Sequence, residues 1–314
     1  MLLKLRVYNQ EVAGLILERM SYKTSPLWPK NNLTFLYFSP HTESASARER
    51  QSFLGFAHFL SELGPHPSLP KLLGVVTVQT PLMIALEELE HRDLLSFLWR
   101  CRQAPCDMTE RQIFTMGTQI GSALEYLHSK NYIHGNVKAR SVLVGRDLSV
   151  KLWGLGLAYR RKTSTASVEY VEDMEMRKWQ APEALARQPL QQSSDIWSFG
   201  ILLYEMVTLG EPPFPNIIAS ELLQHLQRVN TIKRPPNFNE TIPTCFFLSG
   251  YSIIKSCCQW KPMDRVSLAE LIRKLHSKET SANDQAVLRV TEPLDMEKYK
   301  RKAGYGESLN YAVL

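Results

Sequence analysis

Leu3, Leu5 and Val7 alternate with Lys4 and Arg6, the period-two pattern of a half-buried strand, and Leu33 to Phe38 is a short apolar run of the same character. Residues 2–40 are therefore predicted to be strand-rich, with a loop at 23–32 where Pro26 and Pro29 interrupt the pattern. From Ser44 to Leu63 the period lengthens. Phe53, Phe56, Phe59, Leu60 and Leu63 fall on one face of a helix that Pro65 and Pro67 terminate. Two strand-like runs follow, Leu72 to Val78 and Leu82 to Leu86. Beyond residue 93 the helical period takes over. Asp93 precedes an apolar helix at Leu94–Leu98, Thr109 caps another that runs to about Lys130, and residues 194–210 form a third around Trp197 and Phe199. Strands first and helices after predict an α+β protein of two unlike lobes. The predicted divisions are 1–88, 89–278 and a polar, tyrosine-containing tail at 279–314.

Composition narrows this without changing it. The chain has 314 residues, 44% hydrophobic, enough for a sizeable core. No apolar run is long enough to span a bilayer, and the start lacks the apolar centre of a signal peptide. The net charge of +6 sits in short, interrupted runs such as Arg160-Arg161-Lys162, without the interleaved aromatics of a nucleic-acid surface. The five cysteines match no zinc spacing and are expected to be free thiols in a reducing, cytoplasmic setting. A longer form carrying an anchor would place the chain at the cytoplasmic face of a membrane.

Four segments carry candidate chemistry. They are His134-Gly-Asn-Val-Lys-Ala-Arg-Ser141, Lys151-Leu-Trp-Gly-Leu-Gly-Leu-Ala158, Trp179-Gln-Ala-Pro-Glu183 and Asp195-Ile-Trp-Ser-Phe-Gly200. In this order and spacing they resemble the tyrosine-kinase patterns H-R-D-L-A-A-R-N, D-F-G-L-A, W-x-A-P-E and D-x-W-S-F-G, over about residues 3–276. Leu94–Trp99, Trp197–Gly210, Gln224–Arg228 and Gln285–Leu288 narrow the resemblance to membrane-anchored, kinase-like receptors. The resemblance implies the bilobal protein kinase fold.

It also implies where the phosphoryl-transfer groups belong, and the residues there are altered. The glycine-rich lid keeps only Gly14, with Ile16 beyond it. Tyr37 stands at the lysine that meets the phosphates, and Phe35 at the roof of the adenine site, whose other vestiges are Leu86 and Leu143. Phe56 replaces the helix glutamate. Asn136 replaces the catalytic aspartate, and Ser141 and Gly154 replace the two magnesium ligands. A neutral amide cannot act as general base, and no carboxylate remains at the metal positions. Architectural positions survive: Leu60, Leu72, His134 and Leu155 of the apolar spine, Glu183 expected to pair with Arg265, and Asp195 expected to receive backbone N–H groups from the His134 loop.

The expectation is a catalytically inactive domain, a pseudokinase rather than an enzyme, acting as a signalling scaffold or allosteric partner with no cofactor. Its expected partners are receptor tyrosine kinases or phosphotyrosine-reading adaptors, with no nucleic acid. Tyr159, Tyr170, Tyr299, Tyr305 and Tyr311 are the candidate phosphorylation sites. Two alternatives stand beside it. One is an unorthodox tyrosine kinase using ATP and magnesium, with Lys138 as substitute cation. The other is a nucleotide-binding regulatory module.

Overall fold

The computed structural model of the chain describes residues 47–76, 82–87, 89–104, 106, 108–163, 174–229, 232, 244–282, 287–288 and 295–303. The expected strands of 2–40, with Gly14, Ile16, Phe35 and Tyr37, lie outside these residues, as do Tyr170, Tyr305 and Tyr311. The chain divides into two compact units, Met1–Glu90 and His91–Leu314.

In the first unit, helix α1 (Ala47–Leu63) buries the predicted stripe of Phe53, Phe56, Phe59, Leu60 and Leu63. Phe56 stacks on Phe59 with ring centroids 6.1 Å apart, so apolar packing occupies this turn of the helix. Strands β1 (Leu72–Val76) and β2 (Met83–Leu86) pair antiparallel, Leu72 opposite Leu86, with a register shift between Leu72 and Gly74.

The second unit opens with α2 (Leu94–Gln103). Its N-cap Asp93 accepts the Ser96 N–H at 2.9 Å, satisfying a donor that the first turn leaves free. Helix α3 (Glu110–Ser129), capped by Thr109, packs along α9 (Leu268–Ser281). Between α3 and the later helices lies a hairpin of β3 (Val142–Val144) and β4 (Val150–Leu152), followed by α4 (Gly156–Thr163). After the short α5 (Pro182–Leu185) comes α6 (Gln192–Val207), buried along nearly its whole length. A helix with no solvent face is the central post of a domain. It runs from Gln192 to Val207 rather than 194–210, because Gln191 and Ser194 close a capping box at its start. Helices α7 (Leu222–Val229), α8 (Thr244–Cys257) and α10 (Met296–Ala303) complete the described set.

Gly200 explains the close approach of α6 and α8. A Cβ there would lie 2.6 Å from Cys258 Sγ and 2.7 Å from Cys257 Cβ, so any side chain would force the helices apart.

The free-thiol expectation holds for Cys257 and Cys258, which are buried, and fails for Cys101 and Cys106, which form a disulfide at the end of α2. Their separation of five residues matches no metal pattern, so sequence spacing gave no sign of the pairing.

Candidate functional site: the loop from His134 to Ser141 and its supports

The loop between α3 and β3 is held by buried charge. Asp195, at the start of α6, is fully buried; His128 Nε2 donates to its Oδ2 at 2.8 Å. The backbone N–H groups of His134 and Gly135 donate to the same carboxylate at 2.9 and 2.7 Å. Burial pushes the Asp195 carboxyl up. The His128 hydrogen bond, the electrostatic influence of the His134 and His128 rings and the Gly135 N–H outweigh it, and the net direction is down. A second tie comes from farther along α6. The Ala139 N–H donates to Glu205 Oε2 at 2.9 Å, while burial drives the Glu205 carboxyl up to about 7 despite Lys138 and Arg140 nearby.

His134 has both ring nitrogens engaged. Nε2 donates to the Trp153 carbonyl at 2.9 Å and Nδ1 accepts the Asn136 N–H at 3.1 Å. With its side chain fully buried, this imidazole is a structural strut.

Asn136, Ser141 and Gly154 converge. Gly154 has φ +86°, and a Cβ placed on it would lie 3.0 Å from both Asn136 Nδ2 and Ser141 Oγ. The space over Gly154 is thus lined by two buried neutral side chains, and among the described residues Asn136 Oδ1 and Ser141 Oγ have no hydrogen-bond partner. Next to them Lys138, also buried, places its ammonium 5.8 Å from the centre of the Trp179 ring.

The segment after residue 173 is anchored by a bidentate ion pair. Arg265 Nη1 and Nη2 donate to Glu183 Oε1 and Oε2 at 2.6 and 2.7 Å, and Ser194 Oγ donates to Oε1 at 2.6 Å. The guanidinium also reaches the carbonyls of Gln259, Ser193 and Trp260 and lies over the Trp197 ring. Burial raises the Glu183 carboxyl, but the Arg265 and Ser194 hydrogen bonds and the Arg265 charge bring it below its ordinary range.

The profile of the family described as protein tyrosine and serine/threonine kinase matches residues 40–275. The chain belongs to the protein kinase family. Among curated relatives, tyrosine-protein kinase STYK1 of Homo sapiens is 39% identical over the whole of this chain and 76% of its own length. STYK1 of Mus musculus is 41% identical over 84% of this chain and 62% of its own length. The transforming tyrosine-protein kinase Abl of Abelson murine leukemia virus is 33% identical over 82% of this chain and 33% of its own length. The α+β fold expected from the motifs is the fold of this family. The expectation that the chain is not an enzyme is corrected, because these relatives are named as tyrosine-protein kinases.

Kinase domains use ATP and magnesium, and the residues here test poorly for the metal. Magnesium takes hard oxygen donors, one or two of them carboxylates. The side chains of Asn136 and Ser141 offer one neutral oxygen each, and Gly154 has no side chain to offer one. Among the described residues no group of three His, Cys, Asp or Glu side chains could hold a metal ion. The side chains at these three positions do not fit magnesium.

Other predicted positions are placed individually. Leu60, Leu86 and Leu155 are buried, while Leu72 and Leu143 are partly exposed. Tyr159 lies half-buried on α4, and burial raises its phenol above the ordinary range. Tyr299 departs from its expected place on a solvated tail: it is only 3% exposed, with its ring edge-on to Trp99 at 4.7 Å. Glu205 and Lys178 were missed in the sequence. Glu205 sits inside the apolar run of α6, where a carboxylate is itself the signal. No helix of the described residues is long and apolar enough to cross a membrane.

Proposed function

We propose that the chain is a tyrosine-kinase-type signalling domain that acts as a scaffold or allosteric partner for other signalling proteins, at the cytoplasmic side of the cell. The observation that supports this best is the contrast inside the second unit. The ties that hold shape are complete, from Asp195 to the His134 loop and from Glu183 to Arg265. The positions that would carry the transferred phosphate's metal hold Asn136, Ser141 and Gly154. A domain of this composition keeps its surfaces in register for protein contacts, with receptor tyrosine kinases or their adaptors as the partner class. The reading assigns no magnesium to these three positions.

A second reading is phosphoryl transfer from ATP to protein tyrosine by a non-standard residue set. The names of the relatives favour it, and so does Lys138, a buried cation in the loop that carries Asn136. In that reading Lys138 neutralises phosphate charge that the missing carboxylates no longer organise through a metal.

One experiment separates them. The purified chain is incubated with ATP, magnesium and a tyrosine peptide, alone and then with the active cytoplasmic domain of a receptor tyrosine kinase. The scaffold reading expects binding of that domain, or a changed rate of its own transfer, that survives Lys138→Ala. No binding and no change in that domain's rate would overturn the scaffold reading, and transfer by the chain alone that disappears in Lys138→Ala would carry the second.

A further inference from the structure

The residues after α9 return to the body of the second unit. Arg111 reaches the Ala282 carbonyl at 3.3 Å, Val287 bridges to Thr109, and the Leu288 N–H donates to the Met108 carbonyl at 2.9 Å. Helix α10 then begins behind Asp295, whose side chain accepts the Lys298 N–H at 3.0 Å. It buries Tyr299 and Ala303, four residues apart on one face.

The seat under that face is strained. Leu209 and Phe214 have φ +50° and +48°, and Gly210 lies between them at +82°. Bulky residues hold left-handed backbone only when their surroundings enforce it. Here the enforcing contacts run to the carbonyls. Arg102 Nε donates to Leu209 O at 2.7 Å, Trp99 Nε1 to Gly210 O at 3.1 Å, and Lys178 Nζ to Phe214 O at 3.0 Å. Helix α10 touches two of these three clamps. Tyr299 meets Trp99 edge-on, and the Lys302 carbonyl accepts a hydrogen bond from Lys178. Lys178 belongs to the short 3₁₀ turn Met174–Trp179 that leads into Trp179-Gln-Ala-Pro-Glu183. The tail helix, the strained turn and the end of the segment before α5 therefore share one ammonium group and one indole.

We propose that α10 is a docked latch on the second unit, with Tyr299 as its modification site. The phenol oxygen of Tyr299 is buried, so a tyrosine kinase can reach it only when the helix has left its seat. In that state the phenol oxygen bonds to the γ-phosphorus of ATP as the bond from that phosphorus to the bridging oxygen breaks, ADP leaves, and the phenolic proton passes to the modifying kinase's base and on to water. The product carries about two negative charges, and a seat that encloses the neutral hydroxyl does not take them back. Phosphorylated α10 stays released, and Lys178 loses the Lys302 carbonyl. The turn at 209–214 and the turn at 174–179 then loosen together. This latch does not depend on whether the domain transfers phosphate itself.

The test is hydrogen exchange by mass spectrometry on the full chain, comparing wild type, Tyr299→Phe and Tyr299→Glu. The latch requires protected amides at 295–303 in wild type and Tyr299→Phe. It also requires exchange faster by about tenfold or more in Tyr299→Glu, at 295–303 and again at 174–179 and 209–214, with α6 unchanged. Ala303→Arg, which blocks docking from the other buried position without touching Tyr299, is expected to give the same three-segment pattern. Unprotected amides at 295–303 in wild type overturn the proposal. So does a release of 295–303 in both variants that leaves 174–179 and 209–214 as protected as before.

Discussion

Arg265→Ala is the perturbation that most directly tests whether the second unit is held by buried charge. The substitution removes both hydrogen bonds to Glu183 and the contacts to the carbonyls of Gln259, Ser193 and Trp260, along with the cover over Trp197. Glu183 keeps the Ser194 hydroxyl and its own backbone N–H but loses its countercharge, and remains buried. Leaving one member of a buried pair uncompensated costs about 3–5 kcal/mol. In a unit of roughly 200 residues that corresponds to a fall of about 6–20 °C in Tm. Urea unfolding followed by tryptophan fluorescence measures it, because Trp197 lies against the guanidinium. The acid limb gives a second reading. The folded-state pKa of Glu183 is depressed, so the pair contributes stability above the unfolded carboxyl pKa and loses it as pH falls through the folded one. Arg265→Ala should therefore flatten the stability gained as pH rises from below the ordinary glutamate range into it. The double variant Arg265→Met with Glu183→Gln should be more stable than the sum of the single losses, because no charge is left stranded. A loss below about 1 kcal/mol in Arg265→Ala, the range of exposed pairs, would refute the reasoning.

Three further outcomes follow from the geometry. Glu205 titrates near 7 in the fold against 4.5 ordinarily, so the folded state holds its proton longer and stability falls as pH rises through that interval. The full cost is on the order of 3 kcal/mol, and Glu205→Gln should remove that slope from urea midpoints taken across the same range. Gly154→Asp should destabilise by about 1–3 kcal/mol in urea unfolding, because the residue sits at positive φ and its Cβ meets Asn136 and Ser141 at 3.0 Å. Gly200→Ala should cost about 1–3 kcal/mol by overpacking, and a neutral result would mean that α6 and α8 can move apart freely.

The second unit was readable because its motifs combine chemistry with packing. Asp195 and Glu183 were identifiable from their neighbours in sequence, and their partners lie where those motifs put them. The stripe of α1 was readable because five apolar positions repeat at helical spacing over several turns. Helix α10 was not, since an eight-residue helix that sets Tyr299 and Ala303 among Glu297, Lys298, Lys300, Arg301 and Lys302 has the composition of a solvated tail. Lys178 was hidden for a related reason. A lysine beside Arg177 reads as surface charge, and only the carbonyls of Phe214 and Lys302 show why it is buried. The convergence of Asn136, Ser141 and Gly154 was implied by the resemblance alone; that two of their side chains are left with unsatisfied oxygens could be seen only in three dimensions.

The bare Cα of Gly200 has a practical consequence for anyone labelling this protein. It lets α6 press against Cys257 and Cys258, whose thiols burial pushes up, to about 12 for Cys257. Thiolate is the species that alkylating reagents attack, so in the folded state these two sulfurs are silent. Their first appearance in an alkylation time course marks the parting of the two helices and makes the pair a native clock for the opening of the central post.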